Sequence, residues 1–357
     1  MTSRHRCPSQ SSTPMSTNGT EQKKSNKIAD IVKFVLFLGI GVFFIYWFLL
    51  KLDQSQRRAI WQSFCEADYL WVAAAMACSL FSHWVRALRW NLLYAPIGYH
   101  PKTTNTFGSV MIAYLANLAF PRLGEVARCA TMHTSEKIPL EKSIGTVFTE
   151  RIVDVFAFAL VILLGFLVMF DQAKDWIYDT LSQKFSALPS TTTIVVALAG
   201  LAVAAFLFFR FFYRKLLRFP FVKKIDKLFR GCIDGLRSIF HLGKRKSCLF
   251  IFYSAIIYFL YILGGWIIFK TLPETSHLGL RAAYVVYLFG SVGMLISQGG
   301  LGAYPVLVWQ GLAIYGIGKE TALASGWLLW SSQQIVVLVV GLAFTLYFSL
   351  AKKKEIS

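Results

Sequence analysis

The stretch TTNTFGSVMIAYLANLAFPRLGEVAR, residues 103–128, begins as an apolar segment of the kind found in membranes but does not continue as one helix. Its apolar part, Thr103–Pro121, contains polar residues and glycine and ends at a proline, which interrupts the hydrogen bonding of a helix. A second long apolar segment, Ala282–Ile317, is broken in a similar way at SQGGLGAYP, residues 297–305. Irregular backbone at membrane depth is tolerated only where protein buries it or a water-filled cavity borders it. The two breaks therefore predict a shared polar interior.

The composition of the rest of the chain is that of a membrane protein. Of the 357 residues, 56% are hydrophobic and 15% are charged, whereas about a quarter of the residues in soluble domains are charged. A helix needs about 20 apolar residues to cross a bilayer core. The segments predicted to be spanning helices are Ile31–Leu50, Tyr69–Val85, Ile152–Phe170, Thr193–Phe212, Cys248–Phe269 and Leu323–Leu350. The predicted fold class is all-α, a polytopic integral membrane protein with about six spanning helices.

The distribution of charge predicts how these helices are oriented. The net charge is +19, and basic residues collect in the N-terminal tail 1–27, in the segment 213–247 and in the C-terminal tail 351–357. Cytoplasmic loops are enriched in Lys and Arg, so we expect all three in the cytoplasm, with the first tail disordered. The linker Asp171–Thr192, which carries three aspartates, is expected outside. The domain 28–350 would then lie in the cell inner membrane, with 213–247 along the inner leaflet.

Counting the crossings predicts the role of the two broken segments. An even number of crossings must separate the N-terminal tail from the basic segment 213–247, and the clear spans between them already number four. Thr103–Pro121 is therefore predicted to enter and leave on the cytoplasmic side as a re-entrant hairpin, and Ala282–Ile317 to do so from outside. The halves, about 28–170 and 193–350, would each hold two spans, a hairpin and a third span, which makes an inverted repeat. The similar sequences SVMI and SVGMLI precede the two breaks, and such repeats are typical of transporters.

The densest group of charged residues follows the first break. In PRLGEVAR two arginines and a glutamate recur every three residues, and in TERIVD a glutamate and an aspartate are four apart, so each set shares a helix face. Arginine can donate two hydrogen bonds to a lipid phosphate, and the carboxylates would hold the arginines or meet an amine. Alternatively, the charges are ordinary salt bridges that fix how the hairpin docks. The candidate substrate-binding residues here are Asn117, Arg122, Glu125, Arg128, Glu150, Arg151 and Asp154.

Two other places carry candidate residues. Those at the second break are Gln298, Gly299, Gly300 and Tyr304. Glycine permits close backbone approach, and a helix that begins near Pro305 would direct its N–H groups at an anion, although a simple kink filled by neighbouring helices is the alternative. Arg86 and Arg89, in HWVRALRW, are expected to snorkel to the membrane interface at the inner end of the second span.

The sequence lacks the motifs of soluble catalytic, metal or nucleic-acid sites. The six cysteines form no CxxC pair and no cluster with histidines, and no Walker loop, HExxH or nucleophile elbow occurs. No nucleic-acid-binding motif accompanies the positive charge. We therefore expect no metal, no cofactor, no catalytic residue and no nucleic-acid partner.

Four motifs together resemble those of the lysylphosphatidylglycerol synthase transmembrane-region family of flippase-like proteins. They are NLAFPRLGEVAR, ERIVD, RALRW and GGLG, and the likeness extends over Ile31 to Leu350. The resemblance implies a membrane domain that, in the multiple peptide resistance factors, moves aminoacylated phospholipid across the cytoplasmic membrane. Those proteins add a synthase domain that is not expected here, since the sequence stops at Ser357. Many relatives place a glutamate shortly after GGLG where this chain has Ala303, Tyr304 and Pro305, which implies a different substrate or coupling ion.

Three functions follow as hypotheses from these observations. The first is a stand-alone translocase for a phospholipid or a lipid-linked head group. The second is an integral-membrane glycosyl- or acyl-transferase that uses the same charged residues, and it would create a new covalent product. The third is an accessory subunit without transport of its own. The expected partners are membrane lipids, either anionic phospholipid or lipid-linked sugar, together with a partner enzyme or a second copy of the chain.

Overall fold

A computed structural model describes residues 54–119, 123–168 and 243–356, together with Gly200. Within these residues the secondary structure is helical and contains no strand, as the composition predicts. The helices are α1 (Gln54–Glu66), α2 (Tyr69–Tyr94), α3 (Thr103–Ala119), α4 (Leu123–Glu136), α5 (Leu140–Val168), α6 (Lys244–Phe269), α7 (Leu280–Ile296), α8 (Ala303–Ala313) and α9 (Lys319–Ile356). Short 3-10 turns follow α2, α6 and α7.

The longest apolar helices are α6 and α9. Among the described residues, Lys244–Phe269 and Lys319–Ala351 are long and apolar enough to cross a membrane. The pair α1 and α2, bent by 88° between Glu66 and Tyr69, raises that number to three if the two helices form one span. Three predicted spans therefore fall in α2, α6 and α9, and Ile152–Phe170 falls largely in α5. The other two predicted spans, in the segments 31–50 and 193–212, lie outside the described residues, as do the tail 1–27 and most of the basic segment 213–247.

Helices α3 and α4 form a helical hairpin, which we call the first hairpin. Its open end is fastened where Asn105 Nδ2 donates to Glu136 Oε1 over 2.7 Å. Near its tip, the Gly124 N–H donates to Asn117 Oδ1 over 2.8 Å, and a Cβ on Gly124 would lie 2.7 Å from Asn117 Cγ. The prediction that this hairpin is confined to Thr103–Pro121 is wrong. Its second leg is the whole of α4, whose charged side chains are accommodated by ion pairs that span several elements.

Helices α7 and α8 form the second hairpin, and its tip is the predicted glycine break. Gly299, Gly300 and Gly302 have φ angles of +62°, +76° and +74°, a region of backbone conformation that side chains disfavour. The Gly299 carbonyl accepts a hydrogen bond of 2.7 Å from Trp330 Nε1 of α9, which fixes the tip. The two legs are in close contact, since a Cβ on Gly293 would lie 2.8 Å from the Tyr304 Cα. The predicted break and the helix start near Pro305 are confirmed to within a few residues.

The helices of the two described halves occur in the same order. A long helix, a hairpin and a second long helix follow one another as α2, first hairpin and α5, and again as α6, second hairpin and α9. The first helix of each hairpin packs against the last helix of the other half. Gly341 of α9 would place a Cβ 3.0 Å from Leu115 of α3, and Gly165 of α5 would place one 2.6 Å from Leu288 of α7. Each half therefore packs against the hairpin of the other half.

Candidate functional site

Two carboxylates of α5 lie one turn apart and share two arginines of α2. Arg89 Nη2 lies 2.8 Å from Glu150 Oε1 and 2.7 Å from Asp154 Oδ1. Arg86 Nη1 lies 3.4 Å from Glu150 Oε1 and 3.2 Å from Asp154 Oδ2. The spacing of four residues that placed Glu150 and Asp154 on one helix face is thus confirmed. Arg89 and Glu150 are 61 positions apart in the sequence, so this ion pair links two separate helices, α2 and α5.

A third buried arginine reaches the same carboxylate from the first hairpin. Arg128 Nη2 of α4 lies 2.5 Å from Glu150 Oε2, and its guanidinium carbon is 3.5 Å from the centre of the Trp90 ring. The side chains of Arg89 and Glu150 have no solvent exposure, and that of Arg128 is 3% exposed. Cationic groups over an aromatic face are stabilised by the ring quadrupole. Glu150 is therefore the central acceptor of three guanidinium groups from two elements.

A fourth arginine extends these contacts toward the surface. Arg151 Nε lies 2.9 Å from Glu125 Oε1, and its Nη1 lies 3.8 Å from Asp154 Oδ2. Both Arg151 and Glu125 are nearly half exposed, so their pair is worth far less than the buried ones. We call the set Arg86, Arg89, Glu125, Arg128, Glu150, Arg151 and Asp154 the arginine network. It holds four guanidinium groups against three carboxylates, an excess of one positive charge.

Three arginines of the arginine network have hydrogen-bond donors without a partner. The Nε atoms of Arg86, Arg89 and Arg128 are buried and have no hydrogen-bond partner among the described residues. Arg86, Arg128 and Arg151 line a small cavity of about 10 Å³, the size that admits one water molecule. Buried donors without partners are unfavourable, so this arrangement is one that an added acceptor would stabilise.

A larger cavity of about 470 Å³ lies between the two hairpins. Leu118 of the first hairpin and Gly299 and Tyr304 of the second line it. Tyr114 and Asn117 line both this central cavity and the small one at the arginines, so the two cavities adjoin. A cavity shared by the two hairpins is therefore present, as predicted, but its wall is mostly apolar, and the first break itself lies outside the described residues.

The structure brings most of the predicted site residues together. Those that lie in the arginine network or line its small cavity are Asn117, Glu125, Arg128, Glu150, Arg151 and Asp154. Gly299 and Tyr304 line the central cavity, whereas Gly300 is buried beside Met294 and Tyr304 at the hairpin tip. Arg122 and the side chain of Gln298 lie outside what the structure describes.

The prediction that Arg86 and Arg89 snorkel to the membrane interface is wrong. Both are buried inside the protein, at 7% and 0% exposure, because Glu150 and Asp154 supply partners there. Arg86 Nη2 also donates to the Tyr261 hydroxyl over 3.2 Å, and Arg89 Nη1 donates to Ser254 Oγ over 3.0 Å. Neither α6 residue was among the predicted site residues, nor was His83 of α2, which lines the central cavity.

These features define a class: a helical membrane domain in which two broken helical segments line a cavity beside buried, paired charges. The chain belongs to the family described as lysylphosphatidylglycerol synthase TM region, whose model matches residues 31–341. The family suspected from the motifs is thereby confirmed. No curated protein and no solved structure matches this chain.

Proposed function

We propose that this chain is a stand-alone membrane translocase that moves a phospholipid or a lipid-linked head group, and that the arginine network binds its phosphate. The observation that carries the proposal is the buried excess of positive charge beside a cavity lined by both hairpins. Ionisable groups within membrane segments are costly and mark substrate pathways. A cavity beside buried charges, with no soluble catalytic domain among the described residues, fits transport better than chemistry.

The charge of the arginine network matches that of a lipid phosphate. A phosphodiester carries one negative charge, which would neutralise the single excess positive charge of the network. Its oxygens can accept bidentate hydrogen bonds from guanidinium groups, and Arg86 and Arg128 have unused donors beside the small cavity. Glu150 and Asp154 hold the arginines in place when no phosphate is bound. The exposed Arg151–Glu125 pair is the one most easily exchanged for a ligand.

The second helix of each hairpin is too short to cross the bilayer, which favours re-entrant hairpins over complete spans. At 1.5 Å per residue, α4 is about 21 Å long and α8 about 17 Å, less than the roughly 30 Å of a bilayer core. We propose that both hairpins are re-entrant, that the halves form an inverted repeat, and that both termini are cytoplasmic in the inner membrane. The same order of elements in the two halves supports this repeat, as does the position of SVMI in α3 and SVGMLI in α7. Inverted repeats with broken helices permit alternating access to a central site.

Labelling of single cysteines in a cysteine-free background tests the proposed topology. We expect reagents on the cytoplasmic side to label cysteine at Thr104, at the start of the first hairpin, at Lys142, just after it, and at Lys227. Reagents on the outer side should label cysteine at Lys184 and Lys319. Opposite sides for Thr104 and Lys142 would mean that the first hairpin crosses the membrane, and the inverted repeat would have to be given up.

Transport of a fluorescent phospholipid by reconstituted proteoliposomes tests the function itself. We expect the purified protein to move fluorescent phosphatidylglycerol between leaflets faster than empty liposomes do. Arg128→Lys keeps the charge but loses the planar fork, and we expect about a tenfold lower rate, the effect of one charge-assisted hydrogen bond. Arg151→Gln should slow transport with little change in stability, since its pair is half exposed.

Lys142→Gln, an exposed substitution on α5, is the matched control and should leave the rate unchanged. Equal rates for wild type, Arg128→Lys and Arg151→Gln would refute the role of the arginine network. Mass spectrometry of the same vesicles separates the alternatives. We propose that the lipid is recovered unchanged, whereas a new covalent species would identify a transferase.

A further inference from the structure

The central cavity differs chemically from the arginine network beside it. No Asp, Glu, Lys or Arg is among its described lining residues. Its polar groups are neutral: the hydroxyls of four tyrosines and two serines, the amides of Asn117, Gln333 and Gln334, and the imidazole of His83. Neutral hydroxyl and amide groups both donate and accept hydrogen bonds. The rest of the wall is apolar, so it is suited to an uncharged ligand that combines C–H surface with groups that donate and accept hydrogen bonds.

His83 provides an independent sign of a ligand. Its side chain is buried, with an overall exposure of 6%, and its Nδ1 has no hydrogen-bond partner among the described residues. The ring lies 4.6 Å from that of Tyr114, so aromatic contact fixes its place on the cavity wall. A buried polar atom without a partner is unfavourable unless something else satisfies it. The surrounding residues cover this atom, so a small shift of the ring toward the central cavity, which His83 lines, would let a ligand supply the missing hydrogen bond.

Aromatic rings connect the central cavity to the arginine network. Tyr261 and Tyr287 are stacked with their ring centres 5.9 Å apart, and both line the cavity. The Tyr261 hydroxyl accepts a hydrogen bond from Arg86, which lines the small cavity. A group attached to a phosphate at the arginines would therefore extend along this aromatic wall. The volume of about 470 Å³ lies within the usual range for small-molecule sites, roughly 300–1,000 Å³.

An amine-bearing head group fits this wall poorly. Tyrosine faces do attract cations, but Tyr261 and Tyr287 cover part of each other's faces, and no carboxylate among the described lining residues could pair with an ammonium. An uncharged group rich in hydroxyls needs no such partner.

We propose that the central cavity is a head-group subsite for an uncharged, hydroxyl-rich group, a polyol or a sugar, attached to the phosphate that the arginine network binds. The proposal rests on the proposed function only for the phosphate at the arginines. It assigns His83 and Gln334 as residues that contact the head group and determine specificity, through hydrogen bonds that a charged amino head group could not form equally well.

Binding of short-chain lipids to the purified, full-length protein in detergent tests the subsite without requiring transport. The probes are dihexanoyl phosphatidylinositol, whose head group is an uncharged polyol, and dihexanoyl phosphatidylserine, which has the same net charge but a charged head group. Isothermal titration calorimetry should show about tenfold tighter binding of the inositol lipid, the effect of one or two neutral hydrogen bonds. Equal affinities, tighter binding of the serine lipid, or no binding of the inositol lipid would overturn the proposal.

Two substitutions test the wall itself. His83→Phe keeps the ring contact with Tyr114 and removes the nitrogens, and we expect the affinity for phosphatidylinositol to fall about tenfold while that for phosphatidylserine stays the same. Gln334→Leu should have a similar effect and serves if His83→Phe does not fold. The matched controls are His277→Phe and Gln310→Leu, at exposed positions that do not line the cavity. Unchanged inositol-lipid affinity in folded His83→Phe and Gln334→Leu would refute the assignment.

The two proposals can fail separately. Selective binding without movement of any lipid in proteoliposomes would refute the translocase and leave the subsite. Movement of lipids with no preference between the two probes in the binding assay would refute the subsite and leave the translocase.

Discussion

Glu150→Gln will lower the melting temperature of the purified protein by about 10 °C, because it removes the carboxylate that three buried arginines share. Asp154 alone would then face Arg86 and Arg89, and Arg128 would lose its carboxylate partner. Removing one member of a buried ion pair costs about 3–5 kcal/mol, since the other charge stays buried without compensation. Thermal unfolding followed by intrinsic fluorescence in detergent measures the change.

Glu141→Gln is the matched control for this prediction, since Glu141 is an exposed glutamate on the same helix. We expect its melting temperature to match that of the wild type. Adding Arg128→Met to Glu150→Gln removes one of the uncompensated charges, so the double variant should lose less stability than the sum of the single effects. A shift for Glu150→Gln no larger than that of Glu141→Gln would show that the arginines do not depend on this carboxylate.

Gly124→Ala will destabilise the first hairpin by about 1–3 kcal/mol, although it adds a single methyl group. The new Cβ would clash with the Ala113 carbonyl oxygen and lie 2.7 Å from Asn117 Cγ. A backbone oxygen cannot rotate away as a flexible side chain can, so α3 and α4 must separate. The hydrogen bond from the Gly124 N–H to Asn117 would be strained as well. Thermal unfolding again measures the loss.

Gly145→Ala on α5 is the matched control, and its effect should have the opposite sign. A Cβ at Gly145 meets no atom within 4 Å among the described residues. Alanine favours a helix over glycine by about 1 kcal/mol, so this variant should be slightly stabilised. Similar losses for the two variants would contradict the close approach of α3 and α4 at Gly124.

The sequence allowed the helices and the second break to be predicted because their causes are local. A long apolar run predicts α6 and α9 without reference to any other element. A cluster of glycines is itself the sequence signal of the second break. The positive φ angles of these residues explain why glycine is needed there. The spacing of Glu150 and Asp154 is likewise a property of one helix.

The placement of Arg86 and Arg89 could not be predicted in the same way. An arginine near the end of an apolar segment snorkels when water is its best partner, and lies inside when a carboxylate is available. That carboxylate belongs to α5, which is distant in sequence, and only the packing of α2 against α5 and α6 brings it near. The length of the first hairpin was underestimated for the same reason, since α4 carries charges that only other elements can neutralise.

Part of the central cavity did leave a signal in the sequence. Tyr258 and Tyr261 are three residues apart in an otherwise apolar helix, so they share a face. In the structure Tyr261 receives the hydrogen bond from Arg86, and the Tyr258 hydroxyl donates to the Asp154 carbonyl oxygen over 3.1 Å. Phenolic hydroxyls on one face of an apolar helix thus indicated a polar interior. His83 and Ser79, four residues apart on α2, both line the cavity and give a similar signal.

The packing of each half against the hairpin of the other half constrains how this protein can evolve. Gly341 accepts the close approach of Leu115, and Gly165 that of Leu288, so each contact joins residues from different halves of the chain. A larger side chain at one position is acceptable only if its counterpart in the other half becomes smaller. At these contacts neither half can therefore change its sequence independently of the other.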